Sequence, residues 1–196
     1  MADELKRRLV HSSGAGLVAL YLLANYADLG LTWPRFQALM VVLAVGTIGL
    51  EFLRLQVGLD WTIYDKLTRE YEQDQFAGYG YYMVSMTVAV LLFDPQIALP
   101  AMLMLALGDP ISGAVSDDSL KFVKGPKVLL TMFVVSAIIA TPFLYELPLA
   151  VVAAALGATI ADGVKLRIGD YIVDDNLTIP IYAGVLAWLV VEFVPA

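Results

Sequence analysis

Seven stretches of the chain are apolar and contain no charged side chain. They cover residues 9–27, 36–50, 75–93, 95–108, 128–145, 147–161 and 176–191. A helix needs about 20 apolar residues to cross a hydrocarbon core roughly 30 Å thick, so the shorter stretches must use flanking residues. Pro95 and Pro100 interrupt the stretch 95–108. This stretch therefore either crosses the membrane or forms a re-entrant segment, and the sequence leaves both alternatives open. The pattern predicts an all-α fold, a polytopic bundle of about seven transmembrane helices that forms a single integral membrane domain over residues 1–196.

The composition agrees with this pattern. Of the 196 residues, 60% are hydrophobic and only 16% are charged, whereas a soluble globular domain carries about 25% charged residues. The chain has no Cys, which excludes a disulfide framework and a thiolate metal site. Its net charge of −7 argues against a nucleic-acid partner, because proteins that bind nucleic acid present a basic surface.

The Lys and Arg residues predict the orientation, because cytoplasmic loops of membrane proteins are enriched in them. With a cytoplasmic N-terminus and seven crossings, Arg35 alone of the 12 Lys and Arg falls outside. The longer loops, 54–74, 109–127 and 162–175, all fall inside. We therefore expect a multi-pass protein of the cell membrane whose active site faces the cytoplasm. A cleaved signal peptide is a weaker interpretation of the first stretch, since no small-x-small pattern closes it.

Residues 54–74 combine charges with apolar side chains at roughly helical spacing, among them Leu59, Trp61, Ile63, Tyr64 and Leu67. This pattern is typical of an amphipathic helix that lies in the headgroup layer. We expect it to position other elements rather than to carry chemistry.

The first polar constellation joins an acidic residue, Asp109, to a loop rich in Gly and Lys. Glycine lets the backbone approach a phosphate chain closely, and Lys neutralises the phosphate charge. The loop lacks the Gly-Lys-Ser/Thr end of a P-loop, and Gly108-Asp109-Pro110 is also an ordinary helix stop. A nucleotide site and a solvated cytoplasmic loop are therefore both open. The candidate nucleotide-binding residues here are Gly108, Ser112, Lys121, Lys124, Gly125 and Lys127.

The second constellation, DDNLTIP at 174–180, precedes the last apolar stretch. An Asp or Asn is the expected N-cap of a helix, and we expect Pro180 among the first helical positions. Capping explains only one of these acids and amides. With Asp162 and Asp170 they offer several oxygen ligands, which suit Mg²⁺, at a helix N-terminus that favours anions.

A third set of polar residues lies near predicted helix ends: His11, Glu51, Arg54 and Asp162. Ionisable groups inside a bilayer are costly and are candidates for function. Glu51 and Arg54 are three residues apart and would pair on one helix face, in a substrate-binding or a structural role. His11 is either an interfacial residue or a group that positions or deprotonates an alcohol.

These motifs together resemble the polyprenol kinase family, which includes dolichol kinase, phytol kinase and the CTP-dependent diacylglycerol kinase. The most specific match is DDNLTIP at 174–180, followed by an apolar final helix. Beside it stand, in the family's order, KRRLVHSSGAG at 6–16, EFLR at 51–54, LGDPISGA at 107–114 and KGPKVLLTMF at 124–133. The chain has GDPIS where the family more often has GDAxA.

The resemblance implies a membrane kinase that transfers the γ-phosphoryl group of CTP to a lipid alcohol, with Mg²⁺ as cofactor. The segment from Gly108 to Lys127 resembles the family's CTP-binding loop, and Thr178 would be a further nucleotide-binding residue. Within this loop, Lys124 and Lys127 would contact the phosphates. The membrane lipid, CTP and the bilayer are the partners that this activity implies.

The same resemblance assigns roles to the acidic residues. Asp109 and Asp175 would hold Mg²⁺, with Asn176 assisting. The base that takes the alcohol proton stays open among Asp109, Asp162 and His11.

Three other functions use similar residues. A cytidylyltransferase that makes a CDP-activated lipid also combines CTP, Mg²⁺ and a polytopic bundle, but it needs a second basic site for a phosphorylated lipid. Asp162-Gly163 with Arg167 suggests a CDP-alcohol phosphotransferase, although Leu166 and Asn176 break that motif. A non-catalytic transporter would have polar sites near mid-bilayer, whereas nearly all polar residues here fall on one face.

Two further points are open at this level. The lipid alcohol is a polyprenol, a phytol-like alcohol, diacylglycerol or an ether-lipid analogue. Small residues at Gly46, Gly49, Gly157 and Ala161 would pack helices within one chain or between two chains, so a homodimer is also open.

Overall fold

The computed structural model describes residues 8–59, 61, 64, 68, 72–116, 122–169 and 171–194. Part of the predicted amphipathic helix over 54–74 (residues 60, 62, 63, 65–67 and 69–71), and the candidate residue Lys121, lie outside the described residues. The described chain is almost entirely helical, as the apolar pattern predicts. Only a short hairpin and one isolated bridge are extended within it.

Eight α-helices are defined in the described chain, and residues 8–12 are helical as well. The helices are α1 (Ala15–Tyr26), α2 (Trp33–Phe52), α3 (Gly78–Leu92), α4 (Pro95–Leu103), α5 (Asp109–Ala114), α6 (Pro126–Leu144), α7 (Pro148–Gly163) and α8 (Asp175–Phe193). Two π-helical turns, Leu53–Val57 and Met104–Gly108, extend α2 and join α4 to α5. Strands β1 (Arg167–Ile168) and β2 (Tyr171–Ile172) pair antiparallel. Proline starts several of these helices, at positions where its missing N–H costs nothing.

Four helical segments of the described chain are long and apolar enough to cross a membrane. They are Trp33–Val57, Pro95–Ala114, Pro126–Leu144 and Asp175–Phe193. Two shorter apolar helices, Gly78–Leu92 and Pro148–Gly163, accompany them. An all-helical, apolar architecture compatible with a membrane protein is therefore confirmed, while the number of crossings stays a prediction.

The segment after Pro95 differs from the prediction. The sequence predicts a helix stop at Gly108-Asp109-Pro110, but the helix continues to Ala114 and is 20 residues long. The π-helical turn is the reason: the Asp109 N–H bonds to the Met104 carbonyl five residues back, and Pro110 follows without an N–H. The Leu105 carbonyl is thereby left without a helical donor.

Small residues let α7 and α8 pack closely. Along α7 the buried positions include Ala154, Gly157, Ala158 and Ala161, spaced so that they share one helix face. A Cβ at Gly157 would overlap the backbone carbonyl of Tyr182 on α8. Gly157 and Ala161 thus pack helices within this chain, whereas Gly46 and Gly49 on α2 face open space.

The outer surfaces of α2 and α6 are apolar. Exposed residues there include Val42 and Val45 on α2, and Leu130 and Ile138 on α6. The interior holds large apolar side chains such as Phe36, Met86 and Met132, which are fully buried. A surface of this kind suits contact with lipid rather than with water.

Candidate functional site

Three carboxylates from separate helices meet where α5 begins, α7 ends and α8 begins. Asp109, Asp162 and Asp175 each offer an oxygen, and these oxygens all lie within 4.8 Å of one another. We call these three residues the acidic cluster. The Asp162 side chain is fully buried, whereas those of Asp109 and Asp175 are 22% and 34% exposed. Residues far apart in the sequence thus form one group, as the sequence motifs predict.

Lys124 lies against the acidic cluster from the loop before α6. Its Nζ is 2.7 Å from Asp162 Oδ1 and 3.7 Å from Asp175 Oδ2. Burial disfavours the charged amine, but the neighbouring carboxylates of Asp162 and Asp175 outweigh burial and raise the pKa of Lys124. Lys124 is therefore protonated at neutral pH. Its backbone N–H donates to the Gly163 carbonyl (2.9 Å), which holds the loop at the end of α7.

Ser112 supports Asp162 from the other side. Its Oγ lies 3.1 Å from Asp162 Oδ2 and 3.1 Å from the backbone carbonyl of Asp109. A hydroxyl has one proton, so it donates to one of these acceptors at a time. Asp162 is thus held by Lys124 at one oxygen and by Ser112 at the other, which leaves Asp109 and Asp175 as the more accessible carboxylates.

His11 reaches the acidic cluster from the helical residues 8–12. Its Nε2 is 3.5 Å from Asp109 Oδ2 and 3.0 Å from the Leu105 carbonyl oxygen, the one that the π-helical turn leaves without a helical donor. A carbonyl can only accept, so this hydrogen bond requires the proton on Nε2. Tyr82 packs edge-on against the imidazole with ring centroids 4.6 Å apart, and its Oη donates to the His11 carbonyl (2.9 Å).

The start of α8 is fixed by its own cap and by α3. Asp174 is the N-cap, as predicted, and its Oδ1 accepts from both the backbone N–H (2.9 Å) and the Nδ2 (2.7 Å) of Asn176. Pro180 is the sixth residue of α8 rather than one of its first four, so that prediction was wrong. Because Pro180 has no N–H, the Asn176 carbonyl lacks its i+4 donor, and Ser85 Oγ donates to it instead (2.5 Å).

The remaining nucleotide-binding candidates are spread around the cluster. Gly108 packs against α6, where a Cβ would lie 3.1 Å from Met132 Sδ. Gly125 is the N-cap of α6, and Lys127 is exposed in the first turn of that helix. Thr178 is buried inside α8, with its Oγ1 3.4 Å from the Asp175 carbonyl.

Glu51 and Arg54 form the predicted pair, and the pair binds a loop rather than the acidic cluster. Arg54 Nε and Nη2 each donate to a different oxygen of Glu51, both at 2.9 Å. Arg54 also donates to the carbonyls of Glu72, Gln73 and Gln75, at 2.6–3.2 Å. Glu51 in turn accepts from the Ala77 N–H and from Tyr79 Oη. The pair therefore fixes the loop that leads into α3.

A cavity of about 420 Å³ adjoins the acidic cluster. It lies among the N-terminal helical residues, α2, α3 and the start of α8. Its wall is mainly apolar, but it also includes His11, which contacts Asp109, and Asn176, which follows Asp175. The cluster and an apolar cavity are thus neighbours.

The donor set of the acidic cluster fits a Mg²⁺ ion. Mg²⁺ prefers carboxylate oxygens and is commonly held by one or two carboxylates together with substrate phosphates. Lys124 supplies a single positive charge against three close carboxylates. Asp109 and Asp175, the more accessible members, are the residues that would hold the ion.

Sequence reasoning missed the residues of α3 that complete the site. Tyr82 and Ser85 lie in a stretch that the apolar pattern marks only as a span, and their hydroxyl groups three positions apart were the available signal. Comparison with known proteins adds nothing to this geometry, because no protein-family model, curated protein or solved structure matches the chain.

Proposed function

We propose that this protein is a CTP-dependent lipid-alcohol kinase, which moves the γ-phosphoryl group of CTP to the hydroxyl of a polyprenol-like or diacylglycerol-type lipid. The observation that carries the proposal is the meeting of the acidic cluster and Lys124 beside an apolar cavity. Phosphoryl transfer depends mainly on positioning and on neutralising phosphate charge. The site offers cationic and metal-binding groups for the phosphates, next to apolar space for a lipid.

In the proposed reaction the alcohol oxygen forms a bond to the γ-phosphorus. The bond from that phosphorus to the β–γ bridging oxygen breaks, and CDP leaves with the bonding electrons. Lys124 and Lys127 neutralise phosphate charge, and Asp162 keeps Lys124 in position. Asp109, which lies 3.5 Å from His11 of the cavity wall, takes the alcohol proton. Mg²⁺ bound by Asp109 and Asp175 would supply further charge neutralisation.

We further propose that the chain crosses the cell membrane seven times with its N-terminus in the cytoplasm. The crossings are α1, α2, α3, the joined α4 and α5, α6, α7 and α8. In this threading the start of α6, the end of α7 and the start of α8 all fall on the cytoplasmic side, with the acidic cluster among them. That arrangement gives CTP, a soluble nucleotide, direct access to the site.

The test is transfer of label from γ-³²P-CTP to a panel of lipid alcohols by the purified protein in detergent with Mg²⁺. We expect labelled lipid with the wild-type protein. Asp175→Asn and Lys124→Gln should each reduce transfer by about 100-fold or more, as expected when a group that stabilises transition-state charge is removed. Lys165→Gln, which removes a Lys charge from the same side of the protein, should leave transfer within about twofold.

Other outcomes would reject the proposal. Label that enters lipid only from α-³²P-CTP would indicate the cytidylyltransferase. Wild-type protein that transfers neither label to any alcohol, while it remains folded, would contradict a kinase and favour a non-catalytic membrane protein.

A further inference from the structure

Asn176, which lines the cavity, carries a buried polar atom that has no partner within the described chain. Asn176 is 7% exposed, and its Oδ1 makes no hydrogen bond there. Its orientation is fixed, because Nδ2 donates to Asp174 Oδ1 at 2.7 Å and a carboxylate can only accept. Leaving a buried acceptor unsatisfied is unfavourable, because the group loses its hydrogen bonds to water and gains none in return. A ligand in the cavity that donates a hydrogen bond would recover this energy.

Much of the remaining cavity wall is apolar, although Ser13, Thr47 and Glu72 also line it. Val10 and Leu17 come from the N-terminal helical region, Leu43 from α2 and Met83 from α3. The cavity volume of about 420 Å³ lies near the low end of the usual range for ligand sites, about 300–1,000 Å³. One side is closed where Gly14 and Tyr82 touch, since a Cβ at Gly14 would overlap Tyr82 Oη. Such a space fits one slender chain better than two chains that leave a common glycerol.

We propose that this cavity binds the reacting end of a single-chain lipid alcohol, with the chain lying against the apolar wall and the alcohol O–H donating to Asn176 Oδ1 until Asp109 takes its proton. The inference rests on the proposed function for the identity of the ligand as an alcohol. Asn176 is then a substrate-positioning residue, rather than the assistant at Mg²⁺ that the sequence suggested. Asp175 and Asn176 are consecutive on α8, so one turn of helix presents a metal-binding group and an alcohol-binding group side by side.

The experiment measures binding without chemistry. Purified protein in nanodiscs, without CTP or Mg²⁺, is titrated with radiolabelled geranylgeraniol and, separately, with its methyl ether, which has the same chain and no O–H. The wild-type protein should bind the alcohol about fivefold or more tightly than the ether, as expected for one hydrogen bond of about 1 kcal/mol. Asn176→Leu should bind both ligands equally. Asn25→Leu, a matched change of an exposed amide, should retain the preference.

A second variant keeps the test independent of any folding defect in Asn176→Leu. Leu43→Trp fills the cavity from α2 without replacing a polar group, and it should weaken binding of the alcohol and the ether alike by about tenfold or more. Equal wild-type affinity for alcohol and ether would overturn the proposal. So would an alcohol preference that survives in Asn176→Leu, or unchanged binding by Leu43→Trp. Displacement of geranylgeraniol by diacylglycerol at equal concentration would overturn the single-chain assignment.

Failure of the kinase proposal would look different. Alcohol binding that depends on Asn176, in a protein that never transfers label from CTP, would support the cavity assignment and reject the kinase. Label transfer that is unchanged in both Asn176→Leu and Leu43→Trp would support the kinase and reject the cavity.

Discussion

At the scale of single residues, a proline and a serine on different helices together hold the start of α8. Pro180 removes the N–H that would bond to the Asn176 carbonyl, and Ser85 Oγ of α3 supplies the missing donor at 2.5 Å. The peptide group so fixed lies next to Asp175 of the acidic cluster. The position of that carboxylate therefore depends on a hydrogen bond between two helices.

Ser85→Ala should lower stability by about 1 kcal/mol, because it leaves a buried carbonyl without a donor. Adding Pro180→Ala should recover part of that loss, since alanine, unlike proline, supplies the helical N–H. The measurement is the thermal unfolding midpoint of the single and double variants in detergent. Thr141→Ala is the control, because that exposed hydroxyl bonds only within its own helix. If the stability change of the double variant equals the sum of the changes in Ser85→Ala and Pro180→Ala, the two residues do not act through the same Asn176 carbonyl.

The sequence predicts the charged residues of the site better than its hydroxyl and backbone groups. Asp109, Asp162, Asp175 and Lys124 stand out because a charge beside an apolar stretch is costly without a partner, and the structure brings them together. Tyr82 carries no charge, so it has no such cost and its position in an apolar stretch does not mark it as a site residue. The Leu105 carbonyl that binds His11 could not be predicted from the sequence either, because only the π-helical turn leaves it without a helical donor.

At the scale of secondary structure elements, the contact between α7 and α8 sets the distance between two members of the acidic cluster. Asp162 is the second-last residue of α7, and Asp175 begins α8. Gly157 lies five residues before Asp162 against the backbone of α8, where a Cβ would be 2.7 Å from the Tyr182 carbonyl carbon. No side chain intervenes at this point, so the spacing is fixed by main chain against main chain.

Gly157→Ala should therefore force α7 and α8 apart, with a loss of stability of about 1–3 kcal/mol. We expect phosphoryl transfer to fall by about 100-fold, because a shift of roughly 1 Å in a catalytic group costs that much. Gly46→Ala is the matched control: a Cβ there meets nothing within 4 Å, and the higher helix propensity of Ala should raise stability by about 0.5–1 kcal/mol. Thermal unfolding and the γ-label assay measure both effects. Equal behaviour of the two variants would contradict the close contact at Gly157.

The apolar pattern predicts most helices, but it fails where an α-helix contains a π-helical turn. The start of α8 at Asp175 follows from the capping residues. The segment from Pro95 to Ala114 does not, since Gly and Pro normally end a helix. A π-helical turn accommodates Gly108 and Pro110 there, and such a turn has no signature in hydrophobic periodicity.

At the scale of the whole molecule, the proposed topology assigns the connections between helices to two sides of the membrane. Because the chain has no Cys, single Cys variants report on one position each. Leu29→Cys and Tyr145→Cys should react with a membrane-impermeant maleimide on intact cells, whereas Val57→Cys and Phe122→Cys should react only after permeabilisation. All four positions are well exposed, at 60–74%. Labelling of Val57→Cys or Phe122→Cys on intact cells would contradict the topology, and unlabelled wild-type protein is the control.

The N-terminal contacts also constrain how the protein is made. His11 binds the Leu105 carbonyl and Arg8 binds the Gly113 carbonyl, partners that lie 94 and 105 residues later in the chain. At a synthesis rate of about 5–20 residues per second, these partners emerge roughly 5–20 s after the first helix. During that interval the hydrogen bonds from His11 to Leu105 and from Arg8 to Gly113 cannot form. The N-terminal wall of the site thus acquires these two partners only after the joined α4 and α5 have been synthesised.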